Sequence, residues 1–187
     1  MKDRSAVAIP PSGVRGRGRQ TEKNNKPMQQ QVAGIEIGGT NTEIGIVDKD
    51  GNILFTETIP TTGFATPEAY VNAIAIILKK GIAQNKSEIL GIGIGAPSAN
   101  YFSGCIEYAP NMPWEGIIPL AALMNKATGK PAFVTNDANA AALGEMIFGA
   151  AKFVKDFVLV TLGTGLGSGF VVNNEVIYGH DGFAGEL

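Results

Sequence analysis

The sequence contains very little cysteine, histidine and charge, and each shortage excludes a class of protein. Cys105 is the single cysteine, so no disulfide can form within the chain and a reducing compartment is favoured. His180 is the single histidine, which leaves too few soft ligands for a structural zinc site in these residues. Apolar runs are too short to cross a bilayer and no secretory leader follows Met1, so we expect a cytoplasmic protein without a membrane partner.

The few charges are unevenly distributed along the chain. Residues 1–27 carry seven Lys or Arg and two Asp or Glu, whereas residues 28–187 carry eight and fifteen. The globular part is therefore acidic, which disfavours nucleic acid as its partner. Residues 1–31 show neither helical nor strand periodicity, and we interpret them as a disordered basic tail. An RNA-binding arm and a transit sequence are the alternatives for this segment.

The rest of the chain alternates short apolar runs, glycine turns and helical patterns, which is typical of an α/β protein. Three strands come first and are predicted over residues 32–37, 42–47 and 53–59. Their connections are short, so they must be antiparallel neighbours. The next elements are predicted as a helix over 66–83, a strand over 89–95, a hairpin over 101–108 and a helix over 118–128. Gly129 then ends that last helix.

A polar break between a strand and a helix carries the strongest functional signal. Pro131 to Val134 is predicted as a strand and Ala138 to Phe148 as an alanine-rich helix. Ligands bind where the carboxyl ends of strands meet helix starts in an α/β sheet, which makes Asp137 a candidate functional carboxylate. The alternative is that Asn136 or Asp137 merely caps the helix.

The strand and glycine-turn pattern of residues 32–47 repeats from Phe157. Strands are predicted over 157–162, 168–172 and 176–178, with turns at 163–167 and 173–174. The repeat predicts two domains with the same fold, a first lobe over 32–149 and a second beginning at 150. Residues 150–187 are too few to bury a domain core, so we expect a complete first lobe and a truncated start of the second.

Two glycine turns predict phosphate binding. Gly38-Gly39-Thr40 and Gly163-Thr164-Gly165 each follow a strand, so backbone N–H groups can converge there without obstruction by Cβ atoms. One such turn is weak support, but two on either side of a strand-end Asp indicate a polyphosphate held between two domains. The sequence contains no Walker P-loop motif.

Residues 32–187 resemble the ROK family of sugar kinases and repressors, particularly its bacterial glucokinase branch. The motifs occur in family order and run Glu36-Ile-Gly-Gly-Thr-Asn41, Gly93-Ile-Gly-Ala-Pro97, Tyr108-Ala-Pro-Asn111, Asn136-Asp-Ala-Asn-Ala-Ala141, Thr161-Leu-Gly-Thr-Gly165 and Gly182-Phe-Ala-Gly-Glu-Leu187. The resemblance implies an actin-like ATPase fold, also called ribonuclease-H-like, with two lobes around a cleft. It also implies ATP-dependent phosphorylation of the 6-hydroxyl of a hexose, with glucose expected first.

The family roles carry over by position. The resemblance implies that Asp137 is the catalytic base and that Asn111, Asn136 and Glu186 bind the sugar. It assigns the nucleotide phosphates to Gly38, Gly39, Thr40, Asn41, Thr164 and Gly165. Glu36 stands where the family usually has Asp, and is expected to place Mg²⁺ through water with an altered reach.

Other implications of the resemblance fall outside these residues. A Gly-His pair and a cysteine-rich segment that build the family's zinc site are absent, so zinc is expected only in a missing C-terminal part. A homodimer is expected for the full-length protein. Two alternatives to the kinase remain: a ROK-type sugar-responsive transcriptional repressor, for which residues 1–31 are too short to form a winged helix-turn-helix, and a non-catalytic sugar-binding fragment.

Overall fold

A five-stranded sheet forms the centre of the computed structural model, which describes residues 30–85, 88–163 and 165–186. Of the tail predicted over residues 1–31, residues 1–29 lie outside the described residues, as do Thr164 and Leu187. Gln30 and Gln31 were predicted wrongly, because they are the first residues of a strand. The first three strands are β1 (Gln30–Ile37), β2 (Asn41–Asp48) and β3 (Ile53–Pro60). They pair as antiparallel neighbours, which confirms the prediction for this part of the chain.

The sheet continues with two parallel strands. β4 (Glu88–Ala96) runs parallel to β1, and β8 (Ala132–Asn136) runs parallel to β4. The strand order is therefore β3-β2-β1-β4-β8. β2 runs in the direction opposite to the other four strands. The carboxyl ends of β1, β4 and β8 consequently meet at one edge of the sheet, where the predicted site residues follow them.

Two helices cover one face of this sheet. The first, α1 (Pro67–Asn85), begins as predicted, with Thr66 Oγ1 accepting a hydrogen bond from the Ala69 N–H at 3.2 Å. The second, α2 (Leu120–Thr128), ends at Gly129, whose φ of 68° is left-handed as a helix terminus of this type requires. Alternate residues of β1 and β4 point toward these helices and are buried, and they form the main hydrophobic core with the inner face of α1.

A small sheet lies between β4 and α2, and here two boundaries were predicted wrongly. It consists of β5 (Ala99–Asn100), β6 (Cys105–Glu107) and β7 (Ile117–Ile118). The predicted hairpin over 101–108 is therefore shifted, because residues 101–104 form its turn. The predicted start of α2 at Ile118 is two residues early, since Ile118 precedes Pro119 and the residue before proline is sterically disfavoured in a helix.

The last part of the chain forms a separate three-stranded antiparallel sheet. Its strands are β9 (Phe157–Leu162), β10 (Leu166–Val172) and β11 (Glu175–Val176). The predicted turn at Asn173-Asn174 is confirmed, and both residues have positive φ. β10 begins two residues earlier than predicted, because Leu166 already pairs with Leu162. β11 begins one residue earlier and ends two residues earlier than predicted, and Val172 pairs with Glu175 across the two-residue turn.

The alanine-rich helix α3 (Asp137–Ile147) is packed between the two sheets. A Cβ atom on Gly95 of β4 would lie 3.0 Å from Ala140 Cβ, and one on Gly169 of β10 would lie 2.9 Å from Ala142 Cβ. Small residues on both contact surfaces therefore allow the helix backbone to approach each sheet closely. In the part of the chain that the structure describes, no helix has the length and apolarity needed to cross a membrane.

Candidate active site

A cleft of about 740 Å³ opens between the carboxyl edge of the five-stranded sheet and the turn joining β9 to β10. It brings together nearly all the residues that the sequence marked as functional. Those lining it are Glu36, Gly38, Gly39, Thr40, Asn111, Asn136, Asp137, Gly165 and Glu186. Asn41 does not line the cleft, because it is the first residue of β2 and its carbonyl accepts the turn-closing hydrogen bond from the Gly38 N–H.

Asn136 and Asp137 lie where β8 ends and α3 begins. Asn136 is the N-cap of α3, and its Oδ1 accepts a hydrogen bond from the Ala138 N–H at 2.8 Å. Asp137 Oδ1 accepts from the same N–H, also at 2.8 Å. The capping alternative therefore holds for Asn136, while the exposed Asp137 carboxylate at the first helical position remains available to a ligand. A Cβ on Gly95 would lie 3.5 Å from Asp137 Cα, so glycine there brings the Asp137 backbone close to β4.

Glu186 reaches the same point from the far end of the chain. Its Oε1 accepts a hydrogen bond from Asn136 Nδ2 at 2.7 Å. The preceding Gly185 has a φ of 100°, its carbonyl accepts from the buried Ser168 hydroxyl at 2.7 Å, and a side chain there would collide with the Ser168 carbonyl. This anchoring to β10 positions Glu186 beside the start of α3.

The two glycine turns face each other across the cleft. Gly38 and Gly39 connect β1 to β2, and a Cβ on Gly39 would lie 3.2 Å from the Asn111 carbonyl oxygen. The first turn is therefore in contact with the loop that carries Asn111. In the second turn, the Gly163 N–H donates to the Gly165 carbonyl at 3.0 Å. Thr164, one of the two predicted ligands of this turn, lies outside the described residues.

The charge of the cleft is entirely acidic in the described residues that line it. Glu36, Asp137 and Glu186 contribute three carboxylates, and no Lys, Arg or His belongs to this lining. No group of three potential metal ligands is found within the described residues. Three carboxylates repel a polyphosphate, and Mg²⁺ typically takes one or two carboxylates together with substrate phosphates and water. This donor set fits magnesium carried in with a nucleotide.

A second cavity of about 460 Å³ lies on the other side of Glu36. Its walls are the face of the five-stranded sheet opposite α1 and α2, the α3 side chains Ala140 and Leu143, and the stacked rings of Tyr101 and Tyr178, whose centroids are 4.2 Å apart. Burial, together with the neighbouring Tyr101, raises the pKa of Tyr178 above its ordinary value. Sequence reasoning gave no signal for this stack, because its two rings come from separate loops.

Residues 32–187 match the family model described as "ROK family". The chain belongs to the ROK family. The chain has the family's actin-like ATPase fold, in which three antiparallel strands are followed by two parallel strands and by helices that pack on the sheet. A glucokinase of Streptomyces coelicolor is 43% identical over 155 residues, which are 82% of this ROK chain and 47% of that relative.

A solved structure gives the same picture of the fold. The crystal structure of a ROK glucokinase from Streptomyces griseus, in complex with glucose and AMPPNP, superposes with a TM-score of 0.74 at 36% identity. The superposition covers 83% of this chain and 49% of that one. A xylose repressor of Caldicellulosiruptor bescii is 32% identical over 160 residues, covering 83% of this chain and 40% of the repressor. The chain thus spans about half the length of the curated relatives it matches.

Proposed function

We propose that the protein transfers the γ-phosphoryl group of ATP to the 6-hydroxyl of a hexose, with glucose as the first substrate to test. The observation that carries this proposal is the position of Asp137, beside the Asn136–Glu186 pair and in one cleft with two glycine turns. The glucokinase relatives and the neighbouring structure that binds glucose and AMPPNP support both the sugar and the nucleotide.

The proposed reaction is a single displacement at phosphorus. The Asp137 carboxylate accepts the proton of the sugar 6-hydroxyl as that oxygen bonds to the γ-phosphorus. The bond from the γ-phosphorus to the β,γ-bridging oxygen breaks, and ADP leaves with its electron pair. Asn136, Glu186 and Asn111 hold the other hydroxyls, so that the 6-hydroxyl is oriented toward the phosphate.

The two glycine turns would bind the phosphates through backbone N–H groups, with hydroxyl donors from Thr40 and Thr164. Glu36 would hold Mg²⁺ through water when the nucleotide binds. When bound, it neutralises phosphate charge and so permits binding beside the three carboxylates.

The test uses protein expressed from its complete coding sequence, with ADP release measured against glucose, N-acetylglucosamine, N-acetylmannosamine and fructose. We expect release only when ATP, Mg²⁺ and a sugar are all present, and loss on chelation with EDTA. Asp137→Asn should lower kcat by about 10²–10⁴, the range for loss of a general base. Asp50→Asn, in the exposed β2–β3 turn, is the matched control. Turnover by the Asp137→Asn variant at the wild-type rate would contradict the role of Asp137 as the general base.

The repressors among the relatives favour one alternative, a sugar-responsive transcriptional regulator. Such a protein would bind the sugar through the same Asn136–Glu186 pair, but would release no ADP. A non-catalytic sugar-binding fragment would behave in the same way. Calorimetric sugar binding without nucleotide binding would support these two alternatives, and specific retention of a DNA operator would then separate them.

Three further statements also belong to the proposal. We propose a lobe boundary near residue 150, in the segment that follows α3 and precedes β9. A homodimer and a zinc site outside residues 1–187 are predicted from the family resemblance. Sedimentation and metal analysis of the expressed protein would test both.

A further inference from the structure

Three fully buried hydroxyl groups form a hydrogen-bonded chain behind the first glycine turn. Tyr70 of α1, Thr42 of β2 and Thr61, which follows β3, are each 0% exposed. The Tyr70 hydroxyl lies 2.5 Å from Thr42 Oγ1, and Thr42 Oγ1 lies 2.9 Å from Thr61 Oγ1. Thr61 Oγ1 lies 2.6 Å from the carbonyl oxygen of Gly38. None of the three side chains lines the cleft, so they are not themselves ligands.

The last acceptor fixes the direction of every bond in this chain. A carbonyl oxygen can only accept, so Thr61 must donate its single proton to Gly38. Thr61 Oγ1 can then only accept from Thr42, and Thr42 Oγ1 can only accept from Tyr70. The protons therefore all point from α1 toward the glycine turn. In this one arrangement every buried hydroxyl has a hydrogen-bond partner. Successive hydrogen bonds in such a chain strengthen one another in a medium of low dielectric constant.

The anchored carbonyl determines which way the turn presents its donors. Every described peptide bond is trans, so the Gly39 N–H points opposite to the Gly38 carbonyl. Gly38, Gly39 and Thr40 line the cleft, whereas Thr61 lies behind them. The Thr61 N–H also donates to the Thr40 carbonyl at 2.9 Å, so two carbonyls of the turn are held away from the cleft by one residue.

The other hydrogen bonds of the turn, from the Gly38 N–H to the Asn41 carbonyl and from the Thr61 N–H to the Thr40 carbonyl, do not hold the peptide group between Gly38 and Gly39 itself. Two consecutive glycines have wide conformational freedom, so the peptide between them can rotate at low cost. Rotation would replace an N–H donor with a carbonyl oxygen facing the nucleotide, and the carbonyl would repel a phosphate. The buried hydroxyl chain thus supplies the rigidity that glycine lacks.

We propose that Thr61 is a positioning residue for nucleotide phosphate binding, acting through the Gly38 carbonyl to keep the Gly39 N–H directed into the cleft. This inference rests on the proposed kinase function. It predicts that loss of the Thr61 hydroxyl weakens nucleotide binding selectively. The sugar site should be unaffected, because Asn136 and Glu186 make no contact with the hydroxyl chain in the described hydrogen bonds.

The test compares isosteric variants by calorimetric titration with Mg·AMPPNP and, separately, with glucose. Thr61→Val keeps the shape and removes the donor, and we expect its Kd for AMPPNP to rise about tenfold with the glucose Kd changed less than twofold. Thr61→Ser restores the hydroxyl and should bind both ligands as wild type does. Thr58→Val is the matched control, since Thr58 is exposed on the same β3 strand.

A milder variant covers the case in which Thr61→Val does not fold. Tyr70→Phe removes the first donor but keeps the ring that packs on Phe64 and Trp114. It should weaken AMPPNP binding about threefold, again without changing glucose binding. Unchanged AMPPNP affinity in the folded variants, or parallel loss of both ligands, would overturn the positioning role.

The outcomes for wild type separate this inference from the proposed function. Wild-type protein that binds no AMPPNP overturns both. Wild-type protein that phosphorylates a hexose, combined with a Thr61→Val variant of unchanged nucleotide affinity, overturns only the role of Thr61.

Discussion

Asn136 and Glu186 are 50 residues apart in the chain, and the Asn136 amide donates a 2.7 Å hydrogen bond to the Glu186 carboxylate. The same Asn136 side chain caps α3 through its other atom, Oδ1. One residue therefore joins the start of the helix that carries Asp137 to the segment that carries Glu186. The relative position of the proposed base and the proposed sugar ligand depends on this contact.

Asn136→Ser separates the two roles of Asn136. Serine is also a good N-cap, so α3 should keep its stability, but serine lacks the Nδ2 donor to Glu186. Hydrogen bonds to charged groups contribute about 1.5–3 kcal/mol, so we expect the sugar KM to rise by at least tenfold. Initial rates at varied sugar give the KM, and thermal denaturation checks the cap. Asn125→Ser, on the exposed side of α2, is the control. An unchanged KM would show that the contact does not matter for sugar binding.

Asn100→Asp tests how the segment bearing Glu186 is held in place. Asn100 Nδ2 donates to the Asp181 carbonyl at 2.8 Å, while its Oδ1 accepts from the Phe102 N–H at 3.0 Å. Aspartate keeps the acceptor but directs a charged oxygen at the Asp181 carbonyl. We expect faster amide hydrogen exchange over residues 178–186 and weaker sugar binding. Exchange measured by mass spectrometry that stays at the wild-type rate would contradict this prediction.

Much of the fold could be predicted because the relevant signals are local. The Asp50-Gly51 pair specifies the turn between β2 and β3, and the structure gives Gly51 a φ of 85°. Thr66-Pro67 specifies the start of α1 in the same way. Asp137 and the two glycine turns could be predicted from their positions at strand ends, which meet at one edge of such a sheet. Asn111, Asn136 and Glu186 were predicted only from the resemblance to the ROK family.

The remaining features depend on contacts between distant residues. The turn at 101–104 forms because the Asn100 side chain accepts the Phe102 N–H, which outweighs the apolar character of Tyr101 and Phe102. The hydroxyl chain joins residues from α1, from β2 and from the segment after β3, so no local pattern indicates it. The glycines of β10 could have been noticed, because alternate glycines opposite an alanine-rich helix are a recognisable pattern for close packing.

Gly169→Ala should destabilise the protein by forcing α3 away from β10. The added Cβ would lie 2.9 Å from both the Ala138 carbonyl oxygen and Ala142 Cβ, and backbone cannot yield cheaply. We expect a loss of about 1–3 kcal/mol in the free energy of unfolding, measured by urea denaturation. Gly93→Ala is the matched control on β4, because nothing lies within 4 Å of the added atom. Equal stability of the two variants would refute tight packing of α3.

Because the Tyr70 hydroxyl is buried, we expect the free energy of unfolding to decrease at alkaline pH. Burial raises the pKa of Tyr70 from 10.0 to about 12. Between these two pH values the unfolded phenol has lost its proton while the folded one keeps it. The unfolded state therefore binds fewer protons, and the free energy of unfolding falls as pH rises through this window, by at most about 3 kcal/mol. Below pH 10 the stabilisation is fully present.

Tyr70→Phe removes the ionisable group, so its free energy of unfolding should fall less steeply than that of wild type from pH 10 to 12. Parallel urea titrations of the two proteins across that range measure the difference, and identical slopes would mean that the Tyr70 proton does not depend on folding.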